Sequence, residues 1–125
     1  MKSTASTFIR HEDGASSAEF ALVVLPFISL IMAGLGLGFM LWANTTLHYA
    51  AEDAARCASV KTAVCTDATS TQNYALSRYK GPSISPTFTY SASGCGHTVA
   101  GTANYPLNTG LFSLTIPLST SACFP

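Results

Sequence analysis

From Phe20 to Ala43 the chain reads Phe-Ala-Leu-Val-Val-Leu-Pro-Phe-Ile-Ser-Leu-Ile-Met-Ala-Gly-Leu-Gly-Leu-Gly-Phe-Met-Leu-Trp-Ala, without a single Asp, Glu, Lys or Arg. A helix of about 24 residues rises roughly 36 Å, enough to cross a hydrocarbon core of about 30 Å. A buried core helix is the competing reading. It would need other elements apolar enough to surround it, and the remainder of the chain, rich in Ser, Thr, Ala and Gly, offers none. The stretch is therefore expected to be a single membrane span, with Trp42 and then Tyr49 at its outer interface, where amphipathic rings reside.

The rest of the composition fits an anchored protein with one small domain. Charged residues make up 10% of the chain, against about 25% in ordinary soluble domains. Six Lys and Arg balance six Asp and Glu, so no net field points to nucleic acid or to an acidic partner. Orientation follows from the cysteines. Cys57, Cys65, Cys95 and Cys123 all lie beyond the apolar stretch, which suits an oxidising compartment on that side. Flanking charges decide less, because Glu12 and Asp13 offset Lys2 and Arg10 on one side, while Arg56 and Lys61 stand on the other.

Residues 1–14 are polar, with Phe8 and Ile9 as the sizeable apolar exceptions. A secretory signal places its small-residue cleavage site after a short apolar region. Here Gly14 stands before a long one. Cleavage between Gly14 and Ala15 would discard the polar leader and keep the whole hydrophobic helix. Glu19 and Phe20 follow at the fifth and sixth mature positions. A carboxylate at the head of a membrane helix is costly, on the order of 3 kcal/mol near the bilayer centre and less at the edge. An amine at Ala15, one helical turn away or on a neighbouring chain, could neutralise it. The helix dipole alone also favours an acid at that end.

The string Gly14-Ala-Ser-Ser-Ala-Glu19-Phe20-Ala-Leu-Val-Val-Leu-Pro26 resembles the start of TadE-like pseudopilins of the tight-adherence (Tad/Flp) pilus system. The alanine-rich stretch Tyr49-Ala-Ala-Glu52-Asp53-Ala-Ala-Arg56-Cys57-Ala is similar to the juxtamembrane helix of that family. The resemblance covers about residues 14–58 and weakens beyond. It implies a minor pilus component in the bacterial inner membrane, its C-terminal domain in the periplasm or outside, cut after Gly14 by a prepilin peptidase. By position it makes Ala15 the new N-terminus and Glu19 the assembly carboxylate. The implied partners are the membrane, the peptidase, other pilin and pseudopilin subunits and the Tad secretion machinery. Class A type IV pilins open instead with Phe and carry Glu-Leu in place of Glu19-Phe20. The major Flp pilin is shorter and lacks a domain like this one. Both differences favour a minor subunit, whether or not it enters a surface pilus.

Pro26 removes one intrahelical hydrogen bond and should kink the span, which membranes tolerate. Gly34 and Gly38 form a G-x-x-x-G pair, with Gly36 between, suited to close approach of another helix or serving simply as filler. The helix is expected to run on from Asn44 to about Val60, with Leu47, Ala51, Ala54 and Ala58 as a thin apolar stripe and Glu52–Arg56 as an i, i+4 pair. A short helix is expected over residues 67–79, ended by Gly81-Pro82, then strands over 84–90, 97–105 and 111–118. Gly94-Cys-Gly96 and Asn108-Thr-Gly110 supply the turns, and Pro86, Pro106 and Pro117 restrict the strands to short or edge roles. The expected architecture is α+β: leader 1–14, assembly helix 15–43, juxtamembrane helix 44–62, and a small disulfide-stapled α+β domain 63–125.

Four cysteines allow three pairings. Cys57–Cys65 would close the helix end onto the next loop, and Cys95–Cys123 would tie the last strand to the sheet, worth about 2.5 and 3.5 kcal/mol by loop entropy. Zinc is the rival use, but paired C-x-x-C units are missing and Cys95-Gly-His97 alone is a weak signal. No nucleophile, base and orienter can be assembled: His11 falls in the leader, His48 near the membrane and His97 in a turn. Neither enzymatic activity nor a metal, cofactor, small-molecule substrate or nucleic-acid partner is expected. A pilus subunit, a membrane-anchored adhesin or binding module, and a secreted protein with an unusual signal are the three readings left.

Overall fold

A computed structural model describes residues 5–125, with side chains from Gly14 onward. Lys2 and the side chains of Arg10, His11, Glu12 and Asp13, on which the leader's polarity partly rests, lie outside the described residues. The chain folds as α+β, with helix α1 (Ala5–Val60), helix α2 (Ala68–Arg78) and strands β1 (Thr87–Ser93), β2 (Gly96–Asn108) and β3 (Ser113–Phe124). The strands form one antiparallel meander in the order β1-β2-β3. The outer half of α1 lies along β2 and β3, and α2 packs against α1 and β1.

α1 has no break between the apolar span and the juxtamembrane stretch; it continues through Pro26 to Val60. Its environment changes instead. The most apolar part has a mean hydropathy of 2.5 and no buried residue, whereas Ala43, Leu47, Ala50, Ala51, Ala54, Ala55 and Ala58 are buried. Their spacing of three and four places them on one face. Small side chains there let the helix lie close on the sheet. That segment is the centre of the domain's core, not a stalk beneath it, joined by Phe88, Val99, Ala103, Tyr105, Leu107, Leu118 and Ala122 from the strands.

The sheet has one face for the helix and one for solvent. Along β2, Val99, Gly101, Ala103, Tyr105 and Leu107 are buried, while Thr102, Asn104, Pro106 and Asn108 are exposed. This alternation is the period-two signature of a half-buried strand. β2 and β3 are longer than their prolines led one to expect, and β2 is central. The register supplies the reason. β1 pairs with β2 only as far as Thr102, so at Pro106 only β3 lies beside β2. β3 is an edge strand, so Pro117 can turn its nitrogen outward.

α2 is closed by a reciprocal cap. Asp67 accepts from the Ser70 N–H at 2.7 Å, and the Asp67 N–H donates to Ser70 Oγ at 3.0 Å. The Ser70 backbone N–H, then the Ser70 hydroxyl, hold the Asp67 carboxyl below its ordinary pKa. Two disulfides complete the frame: Cys57–Cys65, with Cα atoms 5.8 Å apart, and Cys95–Cys123, at 6.3 Å. The first joins the end of α1 to the loop before α2; the second joins the β1–β2 turn to the end of β3. Gly96 starts β2 at φ 131°, where a side chain would meet the carbonyl of Phe124, so only glycine suits this turn.

Leu47 is fully buried at the helix–sheet contact. Leu47→Ala is expected to destabilise the domain by about 2–5 kcal/mol, read from denaturant titration of the detergent-solubilised chain. Leu22→Ala, in the exposed span, should leave that transition unchanged.

Candidate assembly helix and processing junction

Gly14, Ala15, Glu19 and Phe20 share one helix with the span. Gly14 is exposed, and a Cβ placed there would meet nothing within 4 Å. Steric need therefore does not explain the glycine. Glycine does lower the helix propensity of this turn, by about 1 kcal/mol relative to alanine. The Ser17 hydroxyl donates to the Gly14 carbonyl at 3.1 Å, a local tie across the same turn. Glu19 lies four residues from Ala15, on the same face and about 6 Å along the axis. It is exposed, as is Phe20 at 69%.

Farther along, the three glycines separate into two roles. Gly34 and Gly38 face open space, with nothing within 4 Å of an added Cβ. Gly36 is covered by Leu107, whose side chain would collide with any Cβ at that position. At about 100° per residue, Gly36 stands roughly 200° from Gly34, whereas Gly38 returns to within about 40° of it. One side of the helix thus receives its own β2–β3 hairpin, and the other presents the G-x-x-x-G pair uncovered. Nothing in the spacing distinguished Gly36; its partner lies 71 positions away in the chain.

Beyond the span, α1 carries the polar contacts that hold it to the domain. His48 Nδ1 is 2.7 Å from Thr120 Oγ1, tying α1 to β3, and His48 Nε2 is 3.1 Å from Glu52. Glu52 thus turns back to His48 rather than forward to Arg56, the expected partner. Asp53 pairs with Arg78 of α2 at 3.0 Å. Arg78 also donates to the Tyr74 hydroxyl at 2.8 Å and lies over that ring at 5.0 Å. The hydrogen bond to Tyr74 chiefly, then the charge interactions with Tyr74 and Asp53, raise the Arg78 pKa. His48, Glu52, Asp53 and Arg78 line a cleft of about 750 Å³ that also includes Arg56, Lys80 and Phe124. Its pairs are half exposed, so solvent screens them and they contribute little to stability.

His97 lies in β2 rather than in the turn, opposite Ala92. Its Nδ1 is 2.7 Å from the Tyr90 hydroxyl, and the two rings stack with centroids 5.9 Å apart. It thus serves as a cross-strand contact. The four cysteines are consumed in disulfides. Among the described residues, no three His, Cys, Asp or Glu side chains are grouped to hold a metal ion.

One continuous helix thus joins a membrane-length apolar segment to a disulfide-bonded α+β domain. The family model of TadE-like proteins matches residues 14–56, from the glycine to the last residue before Cys57. The match spans about a third of the chain, so the similarity to TadE-like proteins is one of the helix and leaves the sheet domain unmatched. Neither the curated proteins nor the solved structures yield a match to the chain.

Gly36→Leu is expected to displace Leu107 and destabilise the domain by about 1–3 kcal/mol through overpacking. Amide exchange at residues 107–114 should quicken in the same variant. Gly34→Leu, in open space, should change neither the denaturant midpoint nor the exchange rates.

Proposed function

We propose that this chain is a minor, pilin-like subunit for the assembly of Tad/Flp-type pili, matured by a prepilin peptidase that cuts between Gly14 and Ala15. The observation that carries this reading is the single helix in which Gly14, Glu19 and the charge-free span follow one another, within the segment matched by the TadE-like model. In the proposed mature form the amine of Ala15, on the same or a neighbouring chain, neutralises Glu19 at the inner membrane boundary. The span then passes from bilayer to helix bundle without carrying an unpaired charge. Gly34 and Gly38 allow a neighbouring helix to approach on the uncovered side. The disulfide-bonded domain remains on the periplasmic or outer side and moves with the helix as one body. The chain thereby supports adherence as a structural part.

The decisive experiment joins processing to assembly. N-terminal sequencing of the membrane-extracted protein should begin at Ala15, and Gly14→Val should retain the leader. Glu19→Ala should insert normally but enter pili poorly, with piliation reduced severalfold. A mature N-terminus beyond Ala43 would make the span a discarded signal, and retained Met1 would reject the cut at Gly14. Normal piliation by Glu19→Ala would favour an anchored adhesin or binding module over a filament part.

A further inference from the structure

We infer that the tip of the β2–β3 hairpin is a second membrane contact, immersed in the outer leaflet beside the helix that anchors the chain. This rests on the membrane-anchor part of the function proposed above. Three contacts set the sheet's direction along α1. Ser59 donates to the carbonyl of Pro125, His48 meets Thr120, and Gly36 meets Leu107. Because Leu107 pairs with Leu114, β3 runs in the direction of α1 and β2 runs back toward the inner end. The four-residue turn after Asn108 is therefore the part of the domain that reaches deepest.

Its depth can be placed against the span. Gly36 is seventeen residues beyond Glu19 in the numbering, a rise of about 26 Å. With Glu19 at the inner boundary of a core about 30 Å thick, Gly36 lies about 4 Å inside the outer boundary. Helix tilt would only deepen it. Trp42, nearly half exposed, then falls in the outer interface, the level its ring favours. The hairpin tip, at or below the level of Gly36, cannot stand in bulk water while the anchor occupies this depth.

The tip's chemistry suits that position. Leu111, Phe112 and Leu114 are 77%, 62% and 53% exposed, three large apolar side chains at the end of one small hairpin. From Gly81 to Pro125 the chain has no Asp, Glu, Lys or Arg. The charged groups of the domain lie toward its opposite end, around Glu52, Asp53, Arg56 and Arg78. The turn also ties down three of its own N–H groups, which lowers the cost of an apolar medium. The Thr109 N–H donates to the Phe112 carbonyl at 3.1 Å, the Phe112 N–H to Thr109 Oγ1 at 3.4 Å, and the Gly110 N–H to Asn108 Oδ1 at 2.9 Å.

The test uses the full chain in vesicles of phosphatidylcholine and phosphatidylglycerol. Trp42, the sole tryptophan, first reports the anchor by quenching with acyl-chain-brominated lipid. Phe112→Trp is then made in a Trp42→Phe background, with Leu111→Trp as an independent probe of the same turn and Val64→Trp as a probe of the far end. An indole at position 112 or 111 should be quenched by brominated lipid about as strongly as Trp42. Aqueous acrylamide should quench it severalfold less than the indole at position 64. Equal acrylamide quenching at both ends, with no effect of brominated lipid at the tip, overturns the proposal. Shielding from both quenchers that vanishes when the protein is diluted in lipid means that a second copy covers the tip, and also overturns it. Absence of lipid quenching at Trp42 itself removes the anchor reading, and this inference with it.

Discussion

The contact between the alanine-rich face of α1 and the inner face of the sheet sets everything else in place. A single helix must satisfy two surroundings in succession, with large apolar side chains exposed along the span and small ones buried along residues 43–58. The change falls near Trp42 and Ala43, without a break in the helix. Had the buried stretch carried leucines in place of alanines, the sheet would stand farther off, and the Gly36–Leu107 approach would be lost. Because α1 forms both the apolar span and part of the core, no flexible linker separates the domain from the span. Displacement of the helix is displacement of the domain.

So thin a core explains the covalent and capping devices around it. Of the side chains buried in the outer part of α1, only Leu47 is large. A small domain with few large buried side chains gains limited hydrophobic stabilisation. The disulfides tie element ends together: one joins the end of α1 to the loop before α2, inside a small cluster with Ala58, and one joins the β1–β2 turn to the last strand. The cap of α2 acts similarly, satisfying donors that a short exposed helix would otherwise leave to water. Among the described residues, no buried side-chain nitrogen or oxygen lacks a partner.

Local chemistry made much of this readable in advance. Asp67 and Gly81-Pro82 bracketed α2, and the two glycine-bearing turns marked both hairpins, because caps and turns depend on residues next to one another in the chain. The apolar run announced the span for the same reason. Strand lengths were underestimated because the acceptability of Pro106 depends on where β1 ends, a fact of register rather than of composition. The partners of Glu52, His48 and His97 were likewise out of reach, since two of those side chains engage strands and the third competes between positions four residues either way. Gly36 looked like filler until Leu107 was found over it. An absence of charge after Gly81, joined to the Leu111-Phe112 pair in a turn, was the available hint at the membrane contact proposed for this end of the domain.

The same geometry explains how one helix can serve its own domain and still remain available to neighbours. Helical rotation turns Gly36 away from Gly34 and Gly38, so the hairpin occupies one side only. The uncovered side offers the small residues that let helices approach closely, and nothing of the chain's own lies within 4 Å of a Cβ there. A domain that gripped both sides would be more stable as a monomer but would block lateral packing. A domain that gripped neither would leave its orientation to chance. Fixing one side leaves only the other to a neighbouring helix, which in the proposed assembly would set how the domains of adjacent subunits face one another. In the proposed assembly Glu19 and the open glycines would act at different depths of the same interface, the first supplying a charge to be paired and the second the close contact that rewards pairing.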